Sequence, residues 1–93
     1  MNPAVDPVAA VRSNFLARCH RDVAALEMAL ASPGPKSRDI VKLTVHRLSG
    51  AAGVFGFKAI GVMAAALDDA LQDGGDPEPA EVKALVDAVK AIL

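Results

Sequence analysis

Ser37-Arg38-Asp39-Ile40-Val41-Lys42-Leu43-Thr44-Val45-His46-Arg47-Leu48-Ser49-Gly50-Ala51-Ala52-Gly53-Val54-Phe55-Gly56 contains apolar positions that recur at helical and not at strand spacing. Val41, Thr44, Val45, Leu48, Ala52 and Phe55 form one stripe, Ser37 can cap the start, Asp39 suits the first turn against the helix dipole, and Gly56 can end the run. The segment reads as a helix from about residue 38 to 55.

Upstream, Asp6-Pro7 is a helix-start signal, with an acceptor at the cap and a proline where a missing N–H costs nothing. Val8, Phe15, Cys19, Val23, Leu26 and Leu30 then continue one stripe to about Ala31, where Ser32-Pro33-Gly34-Pro35 stops the helix and reverses the chain. Downstream, Ile60, Met63, Leu67 and Leu71 mark a third helix over about 57–72, closed by Asp73-Gly74-Gly75. Asp76-Pro77-Glu78 repeats the start signal for a fourth helix over about 77–93, with Val82, Leu85, Val86, Val89 and Leu93 on its stripe. No stretch alternates as a strand does. Four helices with short connections, one apolar stripe each, predict an all-α antiparallel up-down four-helix bundle. The 93 residues are enough for one domain, taken as 1–93.

Composition narrows the partners. Hydrophobic residues make up 53% and charged residues 23%, enough to fill a core. The only aromatic residues are Phe, so there are few stacking platforms for single-stranded nucleic acid, and a net formal charge of -1 gives no footprint for a polyanion. The single cysteine, Cys19, cannot form an internal disulfide, and residues 1–10 lack a signal-peptide core. Apolar runs such as Ala59 to Leu67 fall short of the roughly 18 residues that span a bilayer. The expectation is a cytoplasmic monomer with neither nucleic acid nor membrane as partner.

On a helical wheel, His46 lies about 140° from the centre of its own stripe and so faces solvent. Asp39, Lys42, Ser49, Gly50 and Gly53 share the arc about 80° to 180° from that centre. Glycine in a helix interior costs roughly 1 kcal/mol relative to alanine, so two of them beside an exposed histidine call for a use other than helix formation. Close approach is such a use: a partner that brings a reacting group to bonding distance of the imidazole would be held off by a bulky neighbour. Histidine, with an ordinary pKa near about 6.5, offers a neutral nucleophilic nitrogen at cytoplasmic pH. His20, without glycine neighbours, reads as a partly exposed structural residue, and Cys19 as a small core side chain. Neither histidine has the Glu-x-x-His or His-x-x-His spacing of a metal site in a bundle, so no metal is expected.

The run His46-Arg47-Leu48-Ser49-Gly50-Ala51-Ala52-Gly53-Val54-Phe55-Gly56 resembles the histidine phosphotransfer (HPt) signature, H-x-L-K-G-[SA]-[SA]-x-x-[LF]-G. Phe15-Leu16, Leu26-Glu27-Met28-Ala29-Leu30 and Leu67-Asp68-Asp69-Ala70-Leu71 also look like the family. The resemblance implies a phosphoacceptor at His46, and the wheel around it leads us to expect docking at Gly50, Gly53, Asp39 and Arg47. It implies no ATP binding or autokinase activity and no cofactor in the chain itself. The partners it implies are receiver domains of response regulators or hybrid kinases, with Mg2+ on the receiver side. One position departs: Ser49 stands where the family usually has lysine. Lys42, one turn back on the same arc, is the candidate replacement cation, and Ser49 a candidate hydrogen-bond donor to the phosphoryl group. Arg47 lies about 100° away around the helix. The competing expectation is a docking module of the same fold that binds a receiver or kinase without carrying phosphate.

Overall fold

A computed structural model describes residues 7–93. It contains α1 (Pro7–Ala31), α2 (Pro35–Ala51), α3 (Lys58–Gln72) and α4 (Pro79–Lys90), with no strand among the described residues. The extent of α1 is as the sequence indicates, although its expected cap, Asp6, lies outside the described residues.

Proline sets two starts that differ from the sequence expectation. Pro35, read above as part of a stop, follows Gly34 as the first residue of α2. Its fixed φ and missing N–H suit a first turn as well as they end a helix. Ser37 is therefore not the cap: its hydroxyl donates to the Gly34 carbonyl oxygen at 2.8 Å, and Asp39 falls beyond the first turn. Likewise Pro79, and not Pro77, opens α4 after an extended Glu78. Asp76 instead pairs with Arg38, which also donates to the Gly75 carbonyl oxygen at 2.8 Å. At the far end α4 stops at Lys90, leaving Leu93 41% exposed and off the core stripe.

Glycine closes α2 and α3 by one device. Regular α2 ends at Ala51, short of the expected Phe55, but the chain keeps winding. Gly56 at φ 88° donates to the Gly53 carbonyl at 3.2 Å, and Phe57 donates to the Ala52 carbonyl at 2.9 Å. This is a Schellman closure, with the left-handed residue supplied by glycine. Gly53 thus rides in the closing turn and not in the regular helix. At the end of α3, Gly74 at φ 86° donates to Leu71 and Gly75 to Ala70 in the same pattern. A Cβ on Gly75 would stand 2.9 Å from the Ala70 carbonyl oxygen, so the second glycine is needed for space.

The helices pack in a ring, α1 on α2, α2 on α3, α3 on α4 and α4 back on α1. Their stripes meet in one core that includes Phe15, Cys19, Leu26, Val45, Leu48, Leu67, Leu71, Leu85 and Val89. Burying each leucine contributes about 2 kcal/mol. Antiparallel register shows in the cross-helix pairs: Arg47 reaches Asp22 while Phe55 stacks on Phe15, and His46 reaches Asp68 while Arg38 reaches Gly75. Val8 is not on the core stripe in practice, being 73% exposed, and residues 8–14 are all exposed. The cause is length: at about 1.5 Å per residue, α1 with 25 residues outruns α2 with 17 by roughly two turns. Phe15, stacked on Phe55 and Phe57 at 4.8 and 5.8 Å between centroids, closes the core where α1 leaves it. Among the described residues no helix is long and apolar enough to cross a membrane.

Candidate functional site

Because α2 buries Val41, Thr44, Val45 and Leu48, the intervening His46 must point outward, and its side chain is 64% exposed. The antiparallel packing of α3 brings Asp68 beside it. Nδ1 of His46 lies 3.1 Å from Oδ2 of Asp68, whose side chain is only 13% exposed. An ionised carboxylate can only accept, so Nδ1 carries the hydrogen and Nε2 keeps its lone pair. Among the described residues nothing hydrogen-bonds Nε2. The other Asp68 oxygen accepts from Gln72 at 3.3 Å. The hydrogen bond from His46, helped by that of Gln72 and by the charge of Lys42, holds the Asp68 carboxyl below the usual aspartate range despite some desolvation.

A shallow hollow of about 240 Å3 is bordered by Asp39, Lys42, Leu43, His46 and Gln72. Lys42 and Asp39 are thus neighbours of the imidazole, as the wheel indicates. Lys42 forms no hydrogen bond or ion pair among the described residues and acts on Asp68 only through its charge. The Ser49 hydroxyl donates to the His46 carbonyl oxygen at 2.7 Å, in the preceding turn of its own helix.

Gly50 and Gly53 are exposed, and a Cβ on either would meet nothing within 4 Å. The surface beside His46 is bare backbone. Gly61 of α3 adds to this closeness from the other side, since a Cβ there would stand 3.4 Å from the Gly53 nitrogen. Arg47 points elsewhere: it donates from Nη2 to Asp22 on α1 at 3.1 Å. Asp22 is almost fully buried, and burial pushes its carboxyl up against the pull of Arg47, Arg18 and Arg21. His20 is exposed, and Cys19 is buried in the core with its thiol pushed up to about 11 by desolvation and by Asp22.

The site therefore brings together His46, Lys42, Asp39 and Gly50, with Gly53 one turn on in the closing turn, while Arg47 sits on the α1 side. Sequence reasoning missed Asp68 as a site residue. It was legible in part, because a tight turn between two antiparallel helices makes positions equally far from that turn face one another.

In a comparison with protein-family models, residues 10–93 match the Hpt domain, and the chain belongs to that family. Hpt domains are helical bundles that act as histidine phosphotransfer carriers in phosphorelays and are not kinases. Searches of curated proteins and of solved structures gave no match.

Proposed function

We propose that the chain is a phosphorelay intermediate, accepting a phosphoryl group on Nε2 of His46 from a receiver aspartate and donating it to another. The carrying observation is an outward imidazole whose Nδ1 is tied to Asp68, with Nε2 unpartnered among the described residues and bare Gly50 one turn further along α2. In the transfer, the Nε2 lone pair attacks phosphorus, the P–O bond to the receiver's aspartate breaks, and that carboxylate leaves. The ring then holds phosphorus on Nε2 and hydrogen on Nδ1, and so carries a positive charge. The Asp68 carboxylate stands beside that charge and offsets it as it forms.

Lys42, which borders the same hollow as His46, supplies charge for the phosphoryl oxygens in place of the lysine that Ser49 replaces. The chain binds no ATP and has no autokinase activity. Mg2+ is held by the receiver. The working form is a cytoplasmic monomer whose partners are receiver domains of response regulators or hybrid kinases.

A second reading, a docking module that binds a receiver or kinase without carrying phosphate, is favoured by one observation, the turning of Ser49 to the backbone. Phosphotransfer profiling against the receivers of the source organism separates the two. The expected result is label that survives alkali, disappears in acid and is absent from His46→Ala. Stable binding of a phosphorylated receiver without any label on the chain supports docking alone.

A further inference from the structure

On the side of Gly50 facing away from Asp68, a second hollow of about 240 Å3 opens between α1 and α2, bordered by Phe15, Arg18, Asp22, Arg47 and Gly50. Gly50 thus belongs both to the strip beside His46 and to the rim of this hollow.

Its polar wall has more cations than carboxylates. Asp22, 3% exposed, accepts from Arg47 Nη2 at 3.1 Å and feels the charges of Arg47, Arg18 and Arg21 together. Arg18 is exposed and the Arg47 side chain is 37% exposed, so both cations can be reached from outside. A second carboxylate answers the surplus of positive charge, and the planar guanidinium fork suits that group in particular.

We propose that this hollow receives an aspartate or glutamate side chain of the receiver domain as it docks over His46, with Arg18 and Arg47 binding the carboxylate. The inference rests on the phosphotransfer reading and adds to it the chemistry and the orientation of the partner. On the opposite flank of His46, Lys42 is outweighed by Asp39 and Asp68, so that side offers a carboxylate no surplus of positive charge. The partner's acidic residue is therefore directed to the α1 side, and its phosphoryl-bearing loop is set over Nε2 in one orientation.

Arg18 is the residue to change, because it is exposed and lies outside the Asp22–Arg47 hydrogen bond. The probes are the receiver that transfers fastest in the profiling and, separately, phosphoramidate, a small donor that needs no docking surface. Arg18→Glu is expected to lower kcat/KM for the receiver about tenfold or more at low salt, through KM. High salt shrinks the difference, Arg18→Lys, which keeps the charge but loses the fork, falls between wild type and Arg18→Glu, and phosphoramidate labelling is unchanged. Reversing one acidic residue of the receiver to lysine restores transfer to Arg18→Glu. A rate within about twofold of wild type for Arg18→Glu, or an equal loss with phosphoramidate, overturns the assignment. Wild-type chain labelled by phosphoramidate and by no receiver overturns the phosphorelay reading first, and the role of the hollow with it.

Discussion

At His46 the two ring nitrogens have different surroundings, one tied to a nearly buried carboxylate and the other open to solvent. That asymmetry predicts how substitutions divide. Asp68→Asn keeps an acceptor for Nδ1–H but removes the charge that offsets the developing imidazolium. It should leave the helical circular dichroism unchanged and slow single-turnover acceptance about tenfold, since a charge-assisted hydrogen bond is roughly twice as strong as a neutral one. Lys42→Ala should slow transfer about fivefold, near 1 kcal/mol for one partly exposed charge; an unchanged rate would refute Lys42 as the replacement cation. The outward direction of His46 was legible because its own helix supplies the stripe that excludes it. Asp68 was legible only in part, because it depends on the register of a second helix, and the bond of Ser49 was not, because it depends on a hydroxyl choosing a carbonyl three residues back.

At the scale of the helix, Gly50 separates stability from function. Its backbone is helical, with open space where a Cβ would stand. Gly50→Ala should therefore stabilise the fold by up to about 1 kcal/mol, raising Tm by roughly 4–8 °C in a melt. Gly50→Leu should fold equally well yet lose about a hundredfold or more in transfer from a receiver while still taking phosphate from phosphoramidate, because the branched side chain holds the two proteins apart. The existence of the four helices was readable from apolar period and punctuation. Their starts were less so: Pro35 and Pro79 each follow another proline, Pro33 and Pro77, by two residues, and local chemistry alone does not say which one stops a chain and which one begins a helix.

Across the whole molecule, the bundle follows from stripes that each need covering, while the overhang of α1 follows only from comparing helix lengths once they are known. Among the described residues the polar tie between α1 and α2 is the Asp22–Arg47 pair. Arg47→Ala leaves a buried carboxylate without its main cation and should cost about 2–3 kcal/mol, the lower end for such pairs because Arg47 is itself 37% exposed. The Asp22 carboxyl already sits above its ordinary 3.8 and would rise further. Between the ordinary and the raised value the folded chain binds more protons than the unfolded one, so stability grows as pH falls. Urea melts should therefore show the deficit of Arg47→Ala largest at neutral pH and shrinking as pH falls toward the ordinary carboxylate range. A deficit that is constant with pH contradicts the assignment of Asp22 as the group responsible.

The role of His46 is tested most directly by locating the phosphoryl group after incubation with a phosphorylated receiver, using phosphorus NMR and peptide mass spectrometry under alkaline conditions. The account predicts one phosphoryl group, bonded to Nε2 of His46 and missing from His46→Ala. Phosphate found on His20, on Nδ1 of His46, or still present in His46→Ala would contradict it.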